Sequence, residues 1–194
     1  MDAELEKMVR ELYDRQQIRD VVVNYCRGVD RMDRDLLLSC YHPDAIDDHG
    51  FFVEGPGAFW DWVNHYHCNA QIGHQHIVTN HTCELDGDVA HTETYWIFAG
   101  MDAKDFSLSI GGGRYLDRME KRDGVWKIAA RKCLAEWGGA PTESKVPPEF
   151  MAMLREGGVV ARDRTDSSYE RPLTIQPDRI GKNLNILPPE YEPT

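Results

Sequence analysis

The sequence predicts an α+β fold, with two helices ahead of the first strand and a long antiparallel sheet behind them. Apolar residues recur three or four positions apart between Leu5 and Val29, which is the period of an amphipathic helix. Beyond residue 73, four long segments alternate apolar with polar side chains, which is the period of half-buried strands. Because helices and strands occupy separate parts of the chain, we expect the helices to pack on the concave side of one curved antiparallel sheet.

Each predicted element follows from a local signal. The first helix covers 5–29, with a break near Arg15, and a second, short helix with an aspartate cap covers 34–41. A short hairpin at 45–53 and a third helix at 58–68 come next. The four strands are then predicted at 74–85, 88–99, 106–121 and 125–137, with turns at Asp86-Gly87, Gly100-Met101-Asp102 and Arg122-Asp123-Gly124.

The chain divides into two predicted parts. Residues 1–137 form one domain, whose sheet folds over the helices and leaves a hollow of the kind in which ligand sites form. Residues 138–194 form a C-terminal extension with one short helix near 148–155 and too few apolar residues for a core of its own. We therefore expect the extension to pack on the domain or on a neighbouring subunit.

Composition excludes several classes of protein. The formal charge of -11 argues against nucleic-acid binding, which needs clustered Lys and Arg. No apolar run approaches the roughly 20 residues of a membrane span, and the acidic start lacks the basic region of a signal peptide. The five cysteines are widely spaced, which is typical of reduced thiols. We expect a cytoplasmic protein that contacts neither membranes nor nucleic acids.

All eight histidines lie between His42 and His91, and this crowding is the main functional signal. His76 falls on the inner face of the first long strand, and Asp30 falls just past the first helix. A carboxylate that accepts the Nδ1 proton of a histidine raises the basicity of Nε2, so the pair would act as a general base. Spacing alone also leaves open that Asp30 caps a turn and that His76 is a packed core histidine.

A metal site is the rival interpretation of the same histidines. His74 and His76 would put two ligands on one strand face, and Glu84 is the candidate third ligand. Cupins place that glutamate four or five positions beyond the second histidine, whereas Glu84 lies eight beyond it. We therefore expect no metal.

Four short motifs resemble the SnoaL-like branch of the NTF2-like superfamily. They are YCRGVD at 25–30, QHIVTN at 75–80, GRYLDR at 113–118 and RDGVWK at 122–127. The pattern is closest to scytalone dehydratases, bile-acid 7α-dehydratases and hexachlorocyclohexane dehydrochlorinases, and it covers roughly residues 5–137. The resemblance implies a cone-shaped α+β barrel, a cofactor-free reaction and a homotrimer.

The resemblance also implies roles for four residues. Asp30 would orient His76, and Tyr25 matches a tyrosine with which the dehydratases bind or protonate substrate oxygen. Arg131 matches a pocket arginine of the dehydrochlorinases and would hold an anion or a leaving oxygen. The alternative for Arg131 is a strand-edge arginine paired with an acidic residue.

Four further residues should line the hollow and contact substrate. His49 stands near a pocket tyrosine of the dehydratases and departs from it, while His74, Tyr95 and Tyr115 follow from strand alternation. The other histidines are interpreted as surface or packing residues. They are His42, His65, His67, His81 and His91.

These observations favour a cofactor-independent lyase that acts on a small, oxygen-bearing, aromatic substrate by dehydration, retro-aldol loss of an aldehyde or HX elimination. One alternative is an isomerase or cyclase of the same fold, in which the proton returns to the substrate. Another is a non-catalytic small subunit of a ring-hydroxylating dioxygenase. Product mass separates the first two, and co-purification of a partner chain identifies the third.

Overall fold

The computed structural model describes residues 2–140, 152–153, 155–159, 165 and 167–182. The α+β class is confirmed, with helices and strands in the predicted order. The elements are α1 (Ala3–Asp30), α2 (Arg34–Ser39), β1 (Tyr41–Asp48), β2 (Val53–Glu54), α3 (Pro56–Ala70), β3 (Gln71–Asp86), β4 (Val89–Asp102), β5 (Leu108–Arg122) and β6 (Val125–Gly139), followed by 3-10 turns at Ser167–Tyr169 and Pro177–Arg179.

Helix α1 is longer than predicted and continues without a break. The side chain of Asp2 caps its start by accepting from the backbone N–H of Glu4. At the predicted break, Arg15 bonds Glu11 one turn earlier and also the carbonyl of Cys83 on β3, so both helical pairing and tertiary contact stabilise this turn. Asp30 is the last residue of α1 rather than the residue after it.

The sheet has the order β2-β1-β6-β5-β4-β3. Strands β3 to β6 form the predicted antiparallel meander, but β1 pairs with β6 in parallel, with Asp47 opposite Arg131. The sheet is therefore mixed, and the prediction of a purely antiparallel sheet was wrong at this pair. Local sequence does not specify it, because β1 and β6 are separated along the chain by the whole meander.

The strand ends also differ from those predicted. Gly100-Met101-Asp102 belongs to β4, and the turn follows it, where the Asp102 carboxylate accepts from the N–H groups of Lys104 and Asp105 at 2.8 and 3.3 Å. Gly87 and Gly124 have φ of 59° and 79°, values that favour glycine, so the two tight turns predicted there are present.

The helices cover the concave face of the sheet, and the main core lies between them. Ile18, Val22 and Tyr25 of α1 pack with Phe59 of α3 and with Ile128 of β6 in this core. None of the described helices combines the length and hydropathy that a membrane span needs.

The described part of the C-terminal extension lies on the opposite, convex face. Leu173 packs on Leu116 and Leu134 there, and Arg179 pairs with the buried Asp48 at the end of β1. These described residues of the extension thus contact their own domain, while β6 ends at Gly139, two residues beyond the predicted boundary. Most of the predicted helix near 148–155 lies outside the described residues. The division into two parts stays a prediction.

Candidate active site

A cavity of about 250 Å³ lies between the helices and the concave face of the sheet. Its wall is largely aromatic, and the rings include those of Phe51, Phe59, Trp62, Tyr66, Trp96 and Phe98. The polar side chains in this wall are few. They are Tyr25, His49, Tyr66, His67, His76, Ser109, Tyr115 and Cys133. An apolar hollow with a few convergent polar groups is the usual form of a small-molecule site.

His76 and Asp30 are in direct contact at one side of the cavity. His76 Nδ1 lies 2.7 Å from Asp30 Oδ1, and the backbone N–H of His76 donates to both carboxylate oxygens at 2.9 and 3.1 Å. Burial raises the pKa of Asp30, but the hydrogen bonds and charge of His76 outweigh burial, so this pKa is lowered. An ionised Asp30 only accepts hydrogen bonds, so Nδ1 carries a proton, and in the neutral ring Nε2 is the nitrogen with the lone pair. No described residue bonds Nε2.

His74 lies behind this pair and does not line the cavity. Its Nε2 lies 3.3 Å from the carbonyl oxygen of Val29 and 3.7 Å from Asp30 Oδ1. Its ring stacks on that of His67 with centroids 3.8 Å apart. Burial and the neighbouring His76 lower the pKa of His74, which favours the neutral ring. The prediction that His74 contacts substrate does not fit this position.

His67 is a cavity residue that the sequence interpretation placed among the surface or packing residues. It is 6% exposed, lines the cavity, and places Nδ1 2.6 Å from Oε1 of Gln71. Burial, followed by the charge of His74, lowers the pKa of His67 to about 3. A signal was present, because His67 follows Phe59 and Val63 at intervals of four on α3, which puts all three on the buried helix face.

Asp30, His74 and His76, here called the Asp30 cluster, could also hold a metal ion. One donor atom from each lies within 4.8 Å of the others, so Asp30 supplies the third ligand that Glu84 could not. In the present arrangement, however, His74 Nε2 faces a carbonyl oxygen and His76 Nδ1 faces an ionised carboxylate. Both nitrogens therefore act as proton donors, which is the opposite of a ligand's role.

A second histidine–aspartate pair lines the same cavity. His49, in the turn after β1, donates from Nδ1 to Asp47, and Tyr41 also donates its hydroxyl to Asp47. Asp47 is fully buried. Burial lowers the pKa of His49. The Asp47 carboxylate and the adjacent Cys133 have the opposite and larger effect, so the pKa rises to about 10. This histidine is thus held as the imidazolium at neutral pH.

Tyr25 and Tyr115 line the cavity as predicted by position, whereas Arg131 does not. Arg131 is fully buried, makes two bonds of 2.7 and 2.8 Å to Asp117, and stacks its guanidinium on both tyrosine rings at 4.0 and 4.2 Å. The prediction that it holds a substrate anion does not fit, because the tyrosine rings and Asp117 occupy its surroundings. The alternative of an arginine paired with an acidic residue fits the contacts.

Tyr95 was predicted to line the hollow and faces the convex side instead. It is 39% exposed and lies under Arg114, with 5.9 Å from Cζ to the ring centroid. Its neighbour Trp96 lines the cavity. Adjacent strand residues point to opposite faces, so only one of Tyr95 and Trp96 can face the cavity. His76 pairs with Phe98 across the two strands, and Trp96, two residues before Phe98, shares its face.

Solved structures share this fold. Hexachlorocyclohexane dehydrochlorinase LinA-type3 from Novosphingobium barchaimii is 24% identical, with a TM-score of 0.64 over 72% of this chain and 99% of that one. A candidate scytalone dehydratase from Novosphingobium aromaticivorans is 18% identical, with a TM-score of 0.61 over 66% and 87%. A candidate aromatic ring hydroxylase from that species is 24% identical, with a TM-score of 0.60 over 66% and 94%.

These identities are low, so the likeness to these structures shows a common fold and leaves reaction and substrate open. A comparison with curated proteins finds no match. A comparison with protein families finds a match, and the matched region contains Asp30, His76 and Arg131. The SnoaL-like domain family matches residues 10–132, more than half of the sequence, and the chain belongs to this family.

Proposed function

We propose that the protein is a cofactor-independent lyase in which His76 removes an acidic proton from a small aromatic substrate. The proton comes from carbon when water or HX is lost, and from a hydroxyl group when retro-aldol cleavage releases an aldehyde. The observation that carries this proposal is the contact between His76 and Asp30 in the cavity wall. The carboxylate holds the Nδ1 proton, and Nε2 has no hydrogen-bond partner among the described residues. A base positioned in this way contributes on the order of 10² to 10⁴ in rate.

Tyr25 is the proposed donor to the oxygen of the substrate or of the leaving group. It is buried, and burial followed by the charge of Asp47 raises its pKa well above the ordinary value. The phenol therefore keeps its proton at neutral pH and can donate a hydrogen bond. Arg131, stacked 4.0 Å from the ring of Tyr25, acts in this proposal as a positioning residue that fixes this ring.

The cavity supports a substrate of limited size. Its volume of about 250 Å³ is just below the range of about 300 to 1,000 Å³ of ordinary ligand sites, which fits a molecule of one or two rings. Aromatic side chains dominate the wall, and aromatic rings stack favourably on planar ligands. Loss of water, of a small aldehyde or of HX from such a molecule each needs one base and one donor, which is what the wall offers.

The experiment is an activity screen of the purified protein in D₂O without added cofactor. Small aromatic compounds with a hydroxyl, an aldol side chain or a halogen β to an acidic C–H are incubated with the wild type and with His76→Gln. A product lighter by the leaving group, formed by the wild type alone, supports the lyase. A product of unchanged skeleton carrying deuterium identifies an isomerase instead, and turnover by His76→Gln at the wild-type rate contradicts the proposal.

We also propose that the protein forms a homotrimer or another small closed oligomer. The first turns of α1 leave Leu5, Met8 and Leu12 between 50% and 65% exposed, and apolar residues at such spacing are typical of a contact face. Light scattering of the full chain tests this proposal, and a monomer at micromolar concentration would contradict it.

A further inference from the structure

We propose that His49, paired with Asp47, forms an oxyanion-binding subsite inside the aromatic cavity, which takes the phenolate or enolate oxygen of a planar ligand. The inference rests on the proposed function only in assigning that oxygen to a substrate. It adds a charge requirement, because it makes one end of the cavity cationic. His67, elsewhere in the wall, is neutral at pH 7, because burial and the charge of His74 lower its pKa to about 3.

The first argument is the environment of Asp47. Its side chain is completely buried, and both His49 Nδ1–H and the Tyr41 hydroxyl donate to it. A buried carboxylate is stable when its charge is matched, and His49 is the partner that supplies a positive charge in contact with it. The pair therefore presents an imidazolium ring, rather than a neutral one, to the cavity.

The second argument is that two donors meet at one place. Tyr25 Oη lies 3.5 Å from His49 Nε2, and both residues line the cavity. An imidazolium has a proton on each ring nitrogen, so Nε2–H faces the hydroxyl, and the bond at 3.5 Å is long. A ligand oxygen placed beside both atoms would receive hydrogen bonds from Nε2–H and from the phenol.

The third argument is that the turn carrying His49 is held rigidly. Asp48, the residue before it, accepts from Arg179 of the extension at 2.9 and 3.1 Å and from the N–H of Gly50 at 2.8 Å. Arg179 also donates to the carbonyl of Gly50 at 2.7 Å. The residues on both sides of His49 are thus clamped, which favours a preorganised binding group over a mobile surface histidine.

The groups around His49 determine its charge. Asp47 and Tyr41 face it from β1, Tyr25 from α1 and Cys133 from β6, whereas α3 contributes the apolar rings of Phe59 and Trp62. Arg131 lowers the pKa of Asp47, but its own charge is already paired with Asp117. Burial lowers the pKa of His49 and Asp47 raises it, with a result of about 10, so the imidazolium persists through neutral pH.

The shape of the site narrows the ligand further. The ring of His49 stacks on Phe59, with centroids 4.7 Å apart and 30° between planes. The flat apolar surroundings fit a planar body, and the two donors fit one oxygen atom in the plane of that body. Phenolates and enolates combine these features, and charge-assisted hydrogen bonds favour the anion over the neutral form.

The test uses p-nitrophenolate as the probe and nitrobenzene as a neutral probe of similar shape. Both are titrated into the full-length wild type, His49→Gln and His81→Gln at a pH where the free phenol is ionised. Loss of the charged donor in His49→Gln should weaken p-nitrophenolate binding about tenfold or more and leave nitrobenzene binding unchanged. His81→Gln should bind both probes as the wild type does, because His81 bonds Thr94 and does not line the cavity. Probe binding is measured without turnover, so this inference and the proposed role of His76 as a base fail separately.

Three results would overturn the inference. One is p-nitrophenolate binding by His49→Gln equal to that of the wild type, and a second is equal loss of both probes, which would indicate a packing defect rather than a lost charge. The third comes from the wild type alone. Nitrogen NMR of the His49 ring at pH 7 should show two protonated nitrogens, and a neutral ring would contradict the inference without any variant.

Discussion

Replacing Asp30 with asparagine removes the carboxylate from the dyad with little change in shape. The carboxylate accepts three short bonds from His76, at 2.7 Å from Nδ1 and at 2.9 and 3.1 Å from the backbone N–H. An asparagine offers one acceptor oxygen, and its NH₂ group would then face a donor. One charge-assisted hydrogen bond is therefore lost, which we expect to cost about 1.5–3 kcal/mol in the free energy of unfolding at pH 7.

The pH dependence of that loss has a definite sign. The pKa of Asp30 is lowered in the folded state, because the bonds and charge of His76 outweigh the opposing effect of burial. The ionised carboxylate therefore stabilises the fold above the unfolded pKa of about 4, and this stabilisation disappears as pH falls through the folded pKa. Urea unfolding should show a full difference between wild type and Asp30→Asn at pH 7 and a shrinking difference below about pH 4.

Asp30→Asn should also lower the catalytic activity, and this effect should exceed the one on the free energy of unfolding. Without the carboxylate, the proton of His76 can move to Nε2, and a protonated Nε2 cannot act as the base. We therefore expect kcat/KM of folded Asp30→Asn to drop on the order of 10² to 10⁴. The double variant with His76→Ala should be little worse than either single variant, since the two residues act as one unit.

Asp33→Asn is the matched control for this substitution. Asp33 is an exposed N-cap that accepts from Leu36 N–H at 3.0 Å, and asparagine caps a helix about as well as aspartate. The reasoning is refuted if Asp30→Asn, shown by circular dichroism to be folded, keeps the activity of Asp33→Asn.

Three other expectations concern buried or partly buried titratable groups. Arg131→Met leaves the fully buried Asp117 without its partner, so the free energy of unfolding measured in urea should fall by about 3–5 kcal/mol. Adding Asp117→Asn should recover part of that loss. An Arg131→Met protein as stable as the wild type would contradict the contact. Burial and the charge of His74 lower the pKa of His67 to about 3, whereas the same side chain in the unfolded chain has a pKa of about 6.5. As pH falls from about 6.5 to about 3, the unfolded chain therefore binds a proton that the folded protein does not, and the wild type should lose stability more steeply than His67→Gln over this pH range. Exhaustive dialysis against a chelator should leave activity intact, whereas loss that one metal ion restores would assign the Asp30 cluster to metal binding.

The sequence predicted the order of elements because hydrophobic period and turn residues are local signals. Period 3.6 identified α1, Gly55-Pro56-Gly57 marked the start of α3, and period 2 identified the four long strands. The parallel pairing of β1 with β6 could not be predicted in this way, since it depends on how the two ends of the domain meet.

The candidate site was predictable only in part for the same reason. Asp30 and His76 are 46 positions apart, and only the family resemblance suggested their contact. Tyr95 was chosen over Trp96 because alternation gives two possible faces and the register between strands is not visible in one strand. The charge of His49 depends on a buried Asp47, whose burial follows from the mixed sheet.

The most direct test of the account is the activity of His76→Ala on a substrate found in the screen. His81→Gln is the control, because His81 lies on the same strand but does not line the cavity. Its Nδ1 lies 2.7 Å from Oγ1 of Thr94. Loss of the base should lower kcat/KM of folded His76→Ala on the order of 10² to 10⁴ and leave His81→Gln near wild type. A folded His76→Ala protein that keeps more than about a tenth of wild-type activity would show that another group removes the proton.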